Sequence, residues 1–330
     1  MAFSAPSGLV IVTDDRFGDE YPEEHAVFDP LGVELRISRC TTAVEVLEAG
    51  RSADGLLVNL APVDAFVLNG LEKCRGVVRY GIGMDNVDLV AAEGRGIPVR
   101  NVPGYCDDEA AEHALALLLD CSRYVSLRDR SVRKGRWNLQ PDTRRLLGGT
   151  LGVFGYGGTG RGLVRRVLGL GFREILVWSR NLTQKRLESE TDDKVLAAFR
   201  SMGTSLRSVG FEDVLRSATY LSLHVPPTPG AKPLLGPEEI ALLPKGAILI
   251  NTARGALVDE EALARALTSG ALAAAGLDVF RKEPLPANSP LRDLPNVVLT
   301  DHAAWYSQDS LRILRSRAAR NLAKLLDGAS

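Results

Sequence analysis

Two successive alternations of short apolar runs with helix-forming stretches predict an α/β protein made of two parallel-sheet units in tandem. A length of 330 residues agrees with about two domains. In the first hundred residues the β-branched, apolar runs are Leu9–Val12, Val33–Ile37, Gly55–Val58, Gly76–Arg79 and Pro98–Val102. Helix-like stretches separate them at Glu23–Phe28, Ala43–Ala49, Val63–Leu71 and Val87–Glu93. Asp107–Arg123 then reads as one long helix, because acids open it, where they suit the helix dipole, and strong helix formers continue it. The arginine-rich segment 124–149, which carries Trp137, has little periodicity and is expected to be an arm rather than a core element. A second alternation follows. Its strands are expected at Thr150–Phe154, Ile175–Trp178, Thr219–His224, Ala247–Asn251, Ala274–Val279 and Val297–Thr300. Its helices include Gly160–Leu170, Phe211–Arg216 and Glu260–Ser269, and Arg312–Leu326 is a last amphipathic helix.

Composition narrows the functional classes. Forty basic residues against 41 acidic ones leave a net charge of −1, with no polybasic tail, so no nucleic-acid partner is expected. The apolar runs, such as Ala114–Leu119 and Gly270–Leu277, are far below the roughly 18 residues that span a bilayer, and no membrane association is expected. Residues 1–8 do not read as a signal peptide, since no basic start precedes Leu9–Val12 and Asp14 and Asp15 follow at once. Cys40, Cys74, Cys106 and Cys121 form no C-x-x-C pair, so the expectation is no metal site, reduced thiols and a cytoplasmic protein.

The strongest motif is Leu151–Gly162, LGVFGYGGTGRG. Gly155, Gly157 and Gly160 give G-x-G-x-x-G between an apolar strand and a helix. The first glycine permits the tight turn, the second lets backbone approach a pyrophosphate, and the third allows close helix–strand packing. The helix N-terminus then offers N–H groups to the anion. An NAD enzyme places a carboxylate at the end of the next strand to bond the ribose 2′-hydroxyl. Here that position reads Trp178-Ser179-Arg180-Asn181. An arginine there pairs with a 2′-phosphate, so NADP(H) is favoured and NAD(H) is the alternative.

Three further motifs lie behind strands, where open parallel sheets bind ligands. INTARG (250–255) carries Arg254, LDVFRKEP (277–284) carries Asp278 and Glu283, and TDHAAWYS (300–307) carries His302. An arginine forks two N–H groups onto a carboxylate or carbonyl, a histidine exchanges a proton with an alcohol, and a glutamate beside it stabilises the imidazolium. Together they are the minimum machinery for interconverting a 2-hydroxy and a 2-oxo acid by hydride transfer.

On these motifs, and on RYGIGMDNVDL (79–89), NVPGYCDDEAAEHALALLL (101–119), GVFGYGGTGRG (152–162), LHVPPTP (223–229), INTARGALVDEEAL (250–263), AAGLDVFRKEP (274–284) and DHAAWYS (301–307), the chain resembles the D-isomer-specific 2-hydroxyacid dehydrogenases over nearly its whole length. Through its RYGIG and HAAWYS strings it is most similar to the branch that includes the C-terminal-binding-protein corepressors. The resemblance implies two doubly wound domains, with a Rossmann cofactor domain (103–300) inserted into a flavodoxin-like substrate domain (1–102 and 301–330). It implies a homodimer formed through the cofactor domain and its arm. It implies Arg254, Glu283 and His302 as the catalytic set, and Arg79, Ile82, Gly83 and Trp305 around the 2-oxo or 2-hydroxy acid. The implied cofactor site is Gly155, Tyr156, Gly157, Gly158, Thr159, Gly160, Ser179, Arg180, His224, Val225, Pro226, Thr252, Ala253 and Asp278, with Asp278 on the nicotinamide carboxamide. The chain departs from the family in lacking the strand-end acid and in a longer segment 181–210 with a charged, helix-prone stretch (Lys185–Arg200), read here as a surface loop rather than a flap over a 2′-phosphate. Two other readings stay open: a nucleotide-sensing dimer like the corepressors, and a same-fold enzyme acting on an unusual oxyanion such as a phosphorus acid.

Overall fold

The structure, a computed structural model, describes residues 8–18, 20–228 and 230–328; residues 1–7 of the segment read above as lacking a signal peptide, and Pro229 of the LHVPPTP string, lie outside them. The chain divides into two compact units, Met1–Tyr105 with Ser307–Ser330, and Cys106–Tyr306. Each is a parallel sheet with helices in its crossovers.

The first unit runs β1 (Gly8–Val12), α1 (Pro22–Phe28), β2 (Val33–Ile37), α2 (Ala43–Gly50), β3 (Gly55–Val58), α3 (Ala65–Gly70), β4 (Val77–Arg79), α4 (Leu89–Gly94) and β5 (Val99–Arg100). The strand order is β2-β1-β3-β4-β5, the flavodoxin-like order expected. Every residue of β3 is buried, because both faces of an all-parallel sheet are covered. Helix starts follow local chemistry: Thr42 and Glu45 form a capping box on α2, and Asp64 and Asp88 cap α3 and α4.

The second unit begins with α5 (Asp107–Arg123) and α6 (Val125–Arg133). It continues through β6 (Thr150–Phe154), α7 (Gly158–Arg166), β7 (Glu174–Trp178), α8 (Gln184–Ser189), α9 (Asp193–Ser201) and β8 (Ser205–Ser208). It then runs α10 (Phe211–Ser217), β9 (Tyr220–Leu223), α11 (Pro237–Leu242), β10 (Ala247–Asn251), α12 (Glu260–Thr268), β11 (Leu272–Leu277) and β12 (Val297–Leu299). Its order is β12-β11-β10-β9-β6-β7-β8, the doubly wound order whose direction reverses between β6 and β9. The glycine turn sits at that switch point.

Three expectations need correction. Segment 181–210 is neither loop nor flap, although its Lys185–Arg200 stretch is largely helical as its composition predicts. It forms α8, α9 and an added edge strand, β8, because Leu187, Val195 and Phe199 bury into the core while the charges around them face out. Within 124–149, residues 125–133 are helical; the chain pivots at left-handed Tyr124 (φ 54°), and α6 buries too little apolar surface to show a sequence period. Residues 301–306 belong to the second unit rather than the first, since the His302 N–H donates to the Asp278 carbonyl at 2.9 Å and the Asp278 carboxylate takes the N–H groups of Ala303 and Ala304.

The chain returns to the first unit as α13 (Gln308–Leu326), capped by Ser307. Its Arg315 is buried against Glu24 of α1, with Nε and Nη2 at 3.0 and 2.8 Å from Oε2, and Tyr80 donates to Glu24 Oε1 at 2.7 Å. The guanidinium also lies 4.8 Å from the Tyr21 ring centroid. Breaking a buried pair strands a charge, at a cost of about 3–5 kcal/mol, whereas replacing both partners by apolar groups removes that penalty. Arg315→Leu is therefore expected to lower the thermal midpoint sharply and Glu24→Leu/Arg315→Leu to recover part of the loss. A double variant no more stable than Arg315→Leu in thermal denaturation would contradict this account.

Candidate active site

The turn after β6 is built by its glycines. Gly155 has φ 98°, and a Cβ there would stand 2.4 Å from the His224 carbonyl oxygen. Around Gly157 a Cβ would meet nothing within 4 Å, so the backbone there faces open space. Helix α7 starts at Gly158, two residues earlier than expected, and has no side-chain cap among the described residues, which leaves its first N–H groups available to an anion. One acid lies close by: Asp107 Oδ1 accepts from Thr159 Oγ1 at 3.5 Å. Tyr156 is buried, its hydroxyl bonded to Thr191 in the α8–α9 connection.

Ser179 and Arg180 follow β7 as expected, Arg180 exposed. Opposite them, at the end of β9, His224 Nε2 meets Ser222 Oγ at 2.9 Å. Burial pushes the His224 pKa down from 6.5 to about 4, so this ring is neutral near pH 7 and presents no charge to the turn. Val225 and Pro226 continue from it into the following loop.

Behind β10, buried Asn251 shapes the next turn. Its side chain accepts from the Ala253 N–H at 3.0 Å and donates to the Arg254 carbonyl at 2.9 Å. Thr252 Oγ1 is buried with no hydrogen-bond partner among the described residues. A buried hydroxyl left unpaired marks a place where a bound polar group belongs. With the open backbone at Gly157 and the uncapped α7, it makes the residues present fit a dinucleotide.

Arg254 comes next, its Nη1 donating to the Ala253 carbonyl at 2.7 Å. A Cβ on Gly255 would stand 1.9 Å from the Phe280 carbonyl carbon, so only glycine lets this turn press against the loop that carries Glu283. Glu283 Oε1 accepts from the Phe280 N–H at 2.9 Å, and Oε2 lies 2.6 Å from His302 Nδ1. Burial works to raise the Glu283 pKa, but the His302 and Phe280 bonds and the charges of His302 and Arg254 outweigh it and hold the carboxyl below its usual 4.5. Glu283 is thus an anion across the working range. It takes the Nδ1 proton and leaves His302 Nε2 as the atom presented to a reactant. His302 itself is left-handed, φ 58°, a strained conformation for a residue with a Cβ.

Asp278 is fully buried, and its carboxylate accepts from Thr300 Oγ1 at 2.6 Å and from the Ala303 and Ala304 N–H groups at 2.9 Å each. Its carboxylate thereby holds the loop that carries His302. Trp305 stands on the same loop, edge-to-face with Tyr306 at 5.4 Å.

The second unit thus brings Arg254, Glu283, His302 and Trp305 onto the carboxyl ends of one sheet, together with the glycine turn. Arg79, Ile82 and Gly83 are in the first unit, at the end of β4. Arg79 Nε donates to the Asn59 carbonyl at 3.2 Å, and the Ile82 carbonyl accepts from Asn101 at 2.7 Å. Asn251, Thr300 and His113 were not singled out as site residues from sequence. Asn251 stood inside INTARG, and His113 is one of only four histidines.

Residues 115–304 match the family model described as "D-isomer specific 2-hydroxyacid dehydrogenase, NAD binding domain". The chain is 36% identical over 283 residues to a glyoxylate reductase of Korarchaeum cryptofilum, covering 84% of this chain and 81% of that protein. It is 39% identical over 272 residues to a D-3-phosphoglycerate dehydrogenase of Mycobacterium leprae, covering 82% of this chain but only 48% of that longer protein. Among solved structures, the TT0316 protein of Thermus thermophilus superposes with a TM-score of 0.83 at 33% identity, covering 97% of each chain. These relatives do not single out the corepressor branch. The chain belongs to the D-isomer-specific 2-hydroxyacid dehydrogenase family.

Proposed function

We propose that this chain reduces a short 2-oxo acid to the D-2-hydroxy acid with NADPH, His302 delivering the proton. Membership of the family makes it a nicotinamide-dependent oxidoreductase acting between 2-oxo and 2-hydroxy acids. The observation that carries the residue assignment is the 2.6 Å contact of His302 Nδ1 with the Glu283 carboxylate, beside Arg254 and on the same sheet edge as the dinucleotide turn. The glyoxylate reductase relative supports a small substrate.

The Gly155–Gly160 turn and Thr252 would hold the dinucleotide, with Val225, Pro226 and Ala253 flanking it. When bound, the nicotinamide supplies the hydride. The chain's own residues do the rest. Arg254 directs N–H donors at the substrate's carbonyl oxygen and carboxylate. His302 protonates the oxygen as charge develops on it, and Glu283 stabilises the charged imidazole before the transfer. Trp305 excludes water from one side. Loss of a general acid costs about 10²–10⁴ in rate. His302→Ala and Arg254→Ala are expected to lose turnover on that scale with a panel of 2-oxo acids while binding NADPH nearly as wild type. Wild-type kcat in His302→Ala would overturn the assignment.

The NADPH preference rests on Ser179 and Arg180, which stand where an NAD enzyme keeps an acid. No Asp or Glu occurs between Ile175 and Leu187 to oppose a phosphate. A charged hydrogen bond contributes about 1.5–3 kcal/mol, so Arg180→Ala should lose about 10–100-fold in kcat/KM for NADPH and change little for NADH. Equal or better efficiency with NADH in the wild type would contradict the preference.

The partner we assign is a second copy of the chain. Trp137 is 79% exposed, Leu147 63% and Val125 57%, three large apolar side chains in the arginine-rich segment 124–149. Trp and Arg are common interface anchors. The four free cysteines, three of them buried, suit a reducing compartment, and we place the protein in the cytoplasm. Light scattering at micromolar concentration should give the mass of a dimer; a monomer mass would reject the assignment.

A further inference from the structure

The proposed proton donor stands in a left-handed backbone, and the groups that hold it there form a chain leading away from the site into helix α5. We infer that His113 and Thr300 are positioning residues for His302, acting through the buried Asp278 carboxylate. The inference rests on the reading of His302 as proton donor.

The chain of bonds has a defined direction. Asp278 is fully buried and its carboxylate can only accept. Thr300 Oγ1 lies 2.6 Å from Asp278 Oδ1 and gives it the single hydroxyl proton. The same Oγ1 lies 2.9 Å from His113 Nε2, so it must accept there, and His113 carries its proton on Nε2. His113 Nε2 also stands 3.5 Å from Asp278 Oδ1, close enough to support the carboxylate directly. From Asp278 the bonds continue into the reactive turn. Ala303 donates to Oδ1 and Ala304 to Oδ2, and the His302 N–H donates to the Asp278 carbonyl. Three side chains, from α5 and from the ends of β11 and β12, thereby fix one turn.

Rigidity enters through α5. It is 17 residues long, buries Ala110, Ala111, Ala114, Leu117 and Leu118, and lies on β10 and β11. His113 stands on its partly buried face, with a quarter of its side chain exposed. Without the donor from Thr300, Asp278 Oδ1 would turn toward another proton source, and the turn it holds would turn with it. A misplacement of about 1 Å between reacting groups costs on the order of 10²-fold in rate. The device therefore acts on kcat and leaves cofactor affinity alone, because the glycine turn after β6 makes none of these bonds.

The test uses the full chain with NADPH and glyoxylate, pyruvate or hydroxypyruvate, whichever the wild type turns over fastest. It reads kcat and KM separately, NADPH affinity by fluorescence titration, and the thermal midpoint. Thr300→Val removes the donor at nearly constant volume and is expected to lower kcat about 10–100-fold, with NADPH affinity within about twofold. Thr300→Ser keeps the hydroxyl and should restore kcat to within about threefold. His113→Leu should lower kcat, and His113→Gln, which keeps an N–H donor, should recover most of it; this pair decides the matter if Thr300→Val does not fold. A folded Thr300→Val with wild-type kcat, or equal losses in the Ser and Val variants, would overturn the inference. So would a lowered thermal midpoint with unchanged kcat, the mark of a purely structural role. His302→Ala run alongside separates the two readings: turnover retained there removes the proton-donor assignment itself.

Discussion

The active-site end of the second unit depends on one buried charge. Asp278 follows β11 with no exposure, and an ionised carboxylate there is tolerable only if donors surround it. Those available are the Thr300 hydroxyl and the N–H groups of Ala303 and Ala304. Gathering them forces the chain leaving β12 to fold back over the end of β11. That fold puts His302 in its left-handed conformation and directs Nδ1 at Glu283. The pairing of histidine and glutamate is thus a consequence of satisfying an aspartate.

The same device recurs in the other unit. Asp14, just beyond β1, is 2% exposed and accepts from the N–H groups of Asn59, Leu60 and Ala61, just beyond the neighbouring β3. Asp278 lies beyond β11 and takes N–H groups beyond the neighbouring β12. In both sheets a carboxylate at one strand end pairs the backbone that leaves the next strand. Parallel sheets create this need, because every strand exits at the same edge and its loop starts inside the protein, where unpaired N–H groups are costly. Asn251 meets the need after β10 with an uncharged side chain.

These particulars explain what was legible in the sequence. Gly55–Val58, Thr150–Phe154, Ala247–Asn251 and Asp107–Arg123 have the bounds that their composition predicts, since strands buried on both faces read as unbroken apolar runs and α5 opens on acids, and the edge strand Val33–Ile37 keeps its bounds with only Val33 buried. The helix-prone character of Lys185–Arg200 was legible, but its packing into the core and strand β8 were not, because the buried apolar residues are few and far apart: Leu187, Val195 and Phe199. α6 was missed for a related reason, its exposed face being most of it. At the site, Arg254, Glu283 and His302 could be read because each follows a strand in a motif. The burial of Asp278 could not be read. A carboxylate behind a strand looks the same whether it faces a ligand or a loop, and burial alone tells them apart. His113 was harder still, because its partner lies 187 residues away.

The pattern of spent and unspent donors also resolves an electrostatic difficulty. A site for an anionic dinucleotide and an anionic acid is framed here by Asp278 and Glu283, whose fields would oppose both ligands if they faced them. Neither does. Asp278 is consumed by three donors, and Glu283 by the Phe280 N–H and His302. Neutral donors leave the unit charge of a carboxylate in place but occupy its oxygens, so the pairing fixes where the charge sits rather than cancelling it. The α7 N-terminus, by contrast, has no side-chain cap, and the Thr252 hydroxyl has no partner among the described residues. Asp278 and Glu283 are thus engaged by the fold's own donors, while Asp107, 3.5 Å from the Thr159 hydroxyl, is the acid that stands at the α7 N-terminus. Removing a donor from Asp278 would therefore act on the turn that carries His302, while the groups left for the dinucleotide, at the α7 N-terminus and at Thr252, lie behind other strands and keep their places.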